Sequence, residues 1–312
     1  MTGRFQMTST TTLEYGIAPP NYRLPNETHL GRVKLQVSDL ARSLAYYERV
    51  LGLRVIEKGD GRAVLAAHGD DRPLVELSEK GGAHPVPRRG RLGLYHFAIL
   101  LPDRASLGRF LGHLEDLGAY AGMSDHFVSE AIYLTDPDGL GIEVYADRPR
   151  SAWTHHDRQL TMTTIPLDTE DLIRATKDSE GGMSWRGMPA GTVIGHVHLH
   201  VGDLDQAAKF YHLGLGFDKV VWNYPGALFL SAGGYHHHLG TNTWATGVPS
   251  AGPDDARLLE WEVIVPTARD ADGAARSLTS SGGSARQDGA DWLASDPWGT
   301  TLRVRGEQSP GK

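Results

Sequence analysis

The chain has 312 residues, 40% of them apolar and 22% charged, the composition of a folded globular protein rather than a disordered one. A formal net charge of −7 speaks against a nucleic-acid groove or an anionic membrane surface as its partner, and no apolar run approaches the roughly 20 residues that span a bilayer. The complete lack of cysteine excludes disulfides, thiolate zinc sites, iron–sulfur clusters and a cysteine nucleophile.

Residues 1–27 read as a polar, Thr-rich arm with no positive patch followed by an apolar core, so a signal peptide is not expected and a cytoplasmic protein is. From there the chain repeats itself. Asp39 and Asp203, Tyr47 and Tyr211, and Gly52 and Gly216 each stand 164 residues apart, as do Pro102 and Pro266. Asp136-Pro137-Asp138-Gly139 returns as Asp296-Pro297-Trp298-Gly299 at a spacing of 160. Several landmarks at nearly one spacing mark a tandem duplication. Each half is double again, because the stretches from Arg32 to Asp39 and from His96 to Asp103 align at a spacing of 64. Both alternate as a strand does and end in Asp before an amphipathic stretch.

The repeating unit is a strand, a helix and three strands. In the third copy Val193 to Val201 alternates with period two, and Asp203 caps a helix with apolar residues at Leu204, Ala207, Ala208 and Tyr211. Gly214 and Gly216 end it. Val220 to Tyr224, Ala227 to Ala232 and Tyr235 to Gly240 then supply three strands divided by Pro-Gly and Gly-Gly turns. Four βαβββ modules are expected, at about 28–80, 92–147, 192–245 and 257–306. They form two domains (28–147 and 192–306) joined by a Thr-, Asp- and Gly-rich linker, 148–191, with one short helix at Thr169 to Lys177.

Fifteen histidines are more than solubility needs. Those at His29, His68, His84, His113, His155, His156 and His212 sit in loops or helices and read as structural or surface residues. His96, His196, His198 and His200 lie on predicted strands, and His236, His237 and His238 form a run in which alternation sends His236 and His238 one way and His237 the other. The most specific stretch runs from His126 through Ile132, Tyr133, Asp136, Pro137 and Gly139 to Glu143.

The four-module pattern resembles the vicinal oxygen chelate superfamily, which includes glyoxalases, bleomycin-resistance proteins and type I extradiol dioxygenases. The His126 to Glu143 stretch resembles the ring-cleavage signature of the dioxygenases. Leu94 to Asp103 and Gly233 to Asn242 also resemble the catechol 2,3-dioxygenase branch. The resemblance implies an α+β tandem fold in which pairs of modules close around one cavity, with metal ligands on the first and last strand of each module. Those slots hold Arg32, His96, His196 and Glu260 on first strands, and Glu76, Glu143, His238 and Arg303 on last strands. Arginine keeps its proton and offers no lone pair, so a slot holding it cannot bind a cation. Pairing modules 2 and 3 collects His96, Glu143, His196 and His238 and leaves both arginines to modules 1 and 4. Pairings 1–4 and 2–3 are therefore expected.

Two imidazoles and one carboxylate are the ligand set of non-haem Fe(II) oxygenases, so His96, His196 and Glu143 are the expected triad. The resemblance implies that a small aromatic diol binds Fe(II), with Mn(II) the alternative, and that O2 opens its ring beside the diol. Glu143 carries over as a ligand, and His126 and Tyr133 as groups lining the diol pocket. His238 or His236 is the expected acid/base, since proton traffic needs a group titrating near neutrality, with a fourth metal ligand the alternative role for His238. Trp222, Tyr224, Phe229 and Trp244 are candidates for the aromatic lining, and a homo-oligomer is compatible with the chain. A glyoxalase-type lyase using Zn(II) or Ni(II), and a metal-free small-molecule-binding protein, are the two alternatives that share this fold.

Overall fold

The protein is described as a computed structural model covering residues 15–307; residues 1–14 of the expected arm and 308–312 of the tail lie outside the described residues. The first module comprises β1 (His29–Val37), α1 (Leu40–Arg49), β2 (Arg54–Gly59), β3 (Arg62–Ala66) and β4 (Val75–Glu79). The second comprises β5 (Gly93–Leu100), α2 (Arg104–Leu117), β6 (Gly122–Asp125), β7 (Ser129–Thr135) and β8 (Gly141–Asp147). Between the halves run two short strands, β9 (His155–His156) and β10 (Gln159–Leu160), and the helix α3 (Thr169–Lys177). The third module holds β11 (Val193–His200), α4 (Leu204–Ala207), β12 (Asp218–Val221), β13 (Ala227–Ser231) and β14 (Leu239–Asn242). The fourth holds β15 (Arg257–Val265), α5 (Ala268–Ser280), β16 (Ala285–Asp288), β17 (Asp291–Ser295) and β18 (Thr301–Gly306).

The module boundaries follow from local chemistry. Each first strand ends two or three residues before a capping side chain. Asp39 accepts from the Arg42 amide, Asp103 from Ser106, Asp203 from Gln206, and Thr267 from Asp270 in a reciprocal capping box. α4 continues through a wider, π-helical stretch from Ala208 to Leu215, which ends at Gly216 in the left-handed conformation.

The modules pair as the arginine argument expects. One eight-stranded sheet has the order β16-β17-β18-β15-β1-β4-β3-β2, joining modules 4 and 1. The other has the order β12-β13-β14-β11-β5-β8-β7-β6, joining modules 3 and 2. The seams are antiparallel, β1 with β15 and β5 with β11, while the first and last strand of each module run parallel. In the first sheet Arg32 pairs with Glu76 at 2.8 Å and Glu262 at 3.0 Å, and Arg303 grips Glu260 at 2.8 and 3.2 Å. The guanidinium groups thus neutralise the carboxylates in those slots.

One continuous apolar core, including Tyr47, Phe97, Phe110, Tyr211, Phe217 and Trp261, spans both sheets. Burying each such side chain contributes roughly 1.5–3 kcal/mol. Buried hydrogen bonds tie the two sheets together within each half of the chain. The Tyr47 hydroxyl of module 1 donates to Asp136 of module 2 at 3.3 Å, and Tyr211 of module 3 donates to Asp296 of module 4 at 2.9 Å. Each aspartate also closes its own Asp-Pro turn by accepting two backbone amides.

Third-module strands differ in detail from the sequence reading. The strand expected at Tyr235 to Gly240 begins only at Leu239, because Gly233 and Gly234 both take positive φ (62° and 68°) and Ala232 to His238 form an irregular turn. Among the described residues no helix is long and apolar enough to cross a membrane.

Candidate metal centre

The site is built on the second sheet by strand register. Tyr133 on β7 lies opposite Glu143 on β8, Glu143 opposite Ala98 on β5, and Ala98 opposite His196 on β11. His96 sits two residues before Ala98 and so on the same face. Ala98, between Glu143 and His196 in register, carries only a methyl group. His96 Nε2 lies 3.0 Å and His196 Nε2 3.2 Å from the same carboxylate oxygen, Glu143 Oε2. All three residues are buried, and their ligand atoms lie within 4.8 Å of one another.

His96 Nε2 is not aligned for a hydrogen bond to that carboxylate and is a buried polar atom without a hydrogen-bond partner. A buried ring nitrogen of this kind is costly unless something engages it. Together with a second imidazole and a carboxylate it forms the donor set that holds a divalent transition metal, so these residues fit such an ion. Burial pushes His196 down to about 4 against the pull of Glu143, which leaves the ring neutral and its lone pair available. Burial also works to raise Glu143, but the contacts with His196 and His96 outweigh it and hold the carboxyl well below its ordinary range.

A cavity of about 400 Å³ opens over these three residues. His126 and Tyr133 line it and are bonded to each other, His126 Nε2 to the Tyr133 hydroxyl at 2.7 Å. His126 Nδ1 donates to the Thr163 carbonyl at 2.6 Å, so Nε2 carries the lone pair and the tyrosine hydroxyl is the donor. Burial and the Glu143 charge push the Tyr133 phenol well above its ordinary value, and it stays protonated. Tyr95, Tyr224, Phe229 and Trp244 supply aromatic walls, while Met162, Thr163 and Thr164 close one side from the segment between the halves. Trp222, a sequence candidate for the lining, is absent from the wall, whereas Tyr224, Phe229 and Trp244 are in it.

The His236–His238 run sits differently from its sequence reading. His236 and His238 do not line the cavity; His237 between them does. The two-glycine turn replaces the regular strand on which the face assignment depended. His238 instead accepts the Ala232 amide at 3.2 Å and lies stacked near Phe217. His236 Nε2 contacts Asp147 Oδ1 at 2.9 Å, and its Nδ1 lies 2.8 Å from His237 Nδ1. His198 lines the cavity beside His196, with Asn242 donating to its Nε2 at 3.0 Å and accepting from His200 Nδ1 at 2.7 Å. Sequence reasoning missed Tyr95 and the Met162–Thr164 segment. Tyr95 had a signal, its place next to His96, but nothing in the linker's composition marks three of its residues as a cavity wall.

The family model described as the glyoxalase/bleomycin resistance protein/dioxygenase superfamily matches residues 29–144 and 193–288. A catechol-2,3-dioxygenase of Bacillus subtilis (strain 168) is 45% identical over 276 residues, 87% of this chain and 94% of that protein. A crystal structure from Bacillus subtilis subsp. subtilis str. 168 superimposes with a TM-score of 0.61 at 13% identity, covering 93% of this chain and 87% of that one. Glyoxalase I from Zea mays gives a TM-score of 0.53 at 19% identity, covering 89% and 92%. The two structural matches show a shared fold.

Proposed function

The chain belongs to the glyoxalase/bleomycin resistance/dioxygenase superfamily and is an enzyme of its catechol 2,3-dioxygenase type, and we propose that it opens small aromatic diols beside the diol with O2. In this reading His96, His196 and Glu143 hold one Fe(II), for which Mn(II) is a substitute of overlapping ligand preference. The observation that carries the proposal is the His126–Tyr133 pair on the wall of an aromatic cavity whose floor is two imidazoles and a carboxylate. Held there, the metal would supply a Lewis acid that lowers the pKa of a diol bound to it.

The protein's own groups do the rest. Tyr95, Tyr224, Phe229 and Trp244 suit a flat ring, whose faces and edges pair with theirs at about 4.5–7 Å. Tyr133 keeps its proton because burial and Glu143 oppose the phenolate, and it holds that proton between His126 Nε2 and the cavity. The acid/base position expected of His238 or His236 passes in this proposal to His237, which burial and the neighbouring histidines keep neutral, with a ring lone pair able to accept a hydrogen bond. The buried strands around Ala98 exclude bulk water.

The test is metal analysis of protein purified without oxygen, followed by oxygen uptake with catechol. Bound iron, oxygen consumption and a yellow ring-fission product are expected. Conversion of a hemithioacetal with no oxygen uptake would instead indicate a glyoxalase-type reaction, and protein that takes up no metal would indicate a binding protein.

A further inference from the structure

Behind His237 lies a second buried layer that the reaction as described does not use. The end of β8 brings Asp147, and the turn before β14 brings His236, into a line leading to the cavity. Asp147 Oδ1, His236 Nε2, His236 Nδ1 and His237 Nδ1 follow one another at 2.9 Å, across the His236 ring, and then at 2.8 Å. The His236 side chain is fully buried, whereas that of Asp147 is 29% exposed. The His236 ring is clamped between Tyr235, at 4.1 Å between ring centres, and Trp153, at 5.5 Å. His237 in turn lies 4.1 Å, centre to centre, from His196.

We propose that Asp147 and His236 are positioning residues that fix which ring nitrogen of His237 carries hydrogen. A carboxylate only accepts, so His236 Nε2 donates to Asp147. In the neutral ring the other nitrogen, Nδ1, is then a bare acceptor. A nitrogen 2.8 Å away must carry the hydrogen between them, so His237 is protonated on Nδ1 and bare on Nε2, the edge away from His236. That tautomer is the one able to accept a hydrogen bond or a proton from a diol hydroxyl, whereas the other could only donate there. The same logic governs a carboxylate that holds a catalytic histidine in its productive tautomer, and partners of this kind are commonly worth about 10–100-fold in activity. Tyr235 donates to the same Asp147 oxygen at 3.2 Å and steadies the carboxylate.

The use assigned to the bare nitrogen rests on the ring-cleavage reading; the tautomer itself does not. The experiment is nitrogen-15 NMR of histidine-labelled, metal-free protein, combined with steady-state kinetics of the iron-loaded enzyme. In the unmodified protein His237 is expected as a single form with hydrogen on Nδ1. Asp147→Ala should populate the form with hydrogen on Nε2 and lower kcat about 10–100-fold with KM changed less than about threefold. Asp147→Glu should restore part of both, and Tyr235→Phe, which leaves the His236 contact in place, should keep the original tautomer. An unmodified protein with hydrogen on His237 Nε2, or a His237 tautomer indifferent to Asp147→Ala, overturns the proposal. A tautomer that responds in a protein that cleaves no diol supports the positioning role and overturns the ring-cleavage reading instead. Ring cleavage with an indifferent tautomer removes the positioning role alone.

Discussion

Tyr133 donates its hydroxyl hydrogen to His126 Nε2 at 2.7 Å, and the direction of that bond is set on the far side of the imidazole by the Thr163 carbonyl. The phenol hydrogen is therefore directed at His126, and the cavity meets an oriented hydroxyl oxygen rather than a freely rotating one. Tyr133→Phe removes the proton source and leaves the three proposed ligands untouched. It should lower kcat for ring cleavage by about 10²-fold, within the range for loss of one general acid, while metal content stays at the unmodified level. Steady-state oxygen uptake together with metal analysis checks both halves. A variant that also loses its metal would mean that Tyr133 supports the ligand set rather than the chemistry.

The space between the ligands is as testable as the ligands. Glu143→Ala and His196→Ala each remove one of three donors and should leave the purified protein with little metal and no yellow product. Ala98→Leu keeps every donor but puts a bulkier side chain between Glu143 and His196 in register. Overpacking of this sort costs about 1–3 kcal/mol, so the variant should fold, with a lowered melting temperature, and fail to hold metal. Full metal occupancy in Ala98→Leu would place the ion elsewhere.

Much of this site was legible in the sequence because strand alternation and strand order decide it. Once Arg32 and Arg303 dictate that modules 2 and 3 meet, His96, Glu143 and His196 have to share a face. His237 was not legible, because parity counting assumes a regular strand and the positive-φ pair Gly233-Gly234 breaks the count just before the histidines. The cavity wall from Met162 to Thr164 was hidden for another reason. Its position is set by long-range pairing, such as the Asp125–Ile165 bridge beside it, and not by any local pattern.

Acid should destabilise the protein through its buried histidines, and His238 isolates one contribution. Burial pushes His238 down to about 3 from an ordinary 6.5. Below pH 6.5 the unfolded chain binds a proton there that the folded chain refuses until about pH 3. The stability this group contributes is thus complete above pH 6.5 and is lost progressively as pH falls toward 3. At pH 5.5 the loss from this residue alone is about 1 kcal/mol. His238→Gln keeps an acceptor for the Ala232 amide but cannot titrate. Urea unfolding at pH 7.5 and 5.5 should show a smaller stability drop in the variant than in the unmodified protein, and equal drops would refute the assignment.

The tyrosine–aspartate bonds between modules offer a graded pair. Tyr211→Phe leaves Asp296 Oδ2 without its hydroxyl donor inside the core and should cost about 1–3 kcal/mol. Tyr47→Phe breaks the longer bond to Asp136, 3.3 Å against 2.9 Å, and should cost less. Chemical denaturation of both variants gives the order directly.

Because β5 and β11 zip the second sheet together from opposite halves of the chain, the polypeptide is laced rather than strung. His96 and Glu143 come from one side of the lacing and His196 from the other. Severing the backbone beyond α3 would therefore yield two fragments, each with a raw sheet edge and neither with a complete ligand set. Produced separately they should be inert, and mixing them should reconstitute both sheets at once, so that recovered activity would titrate with the scarcer fragment.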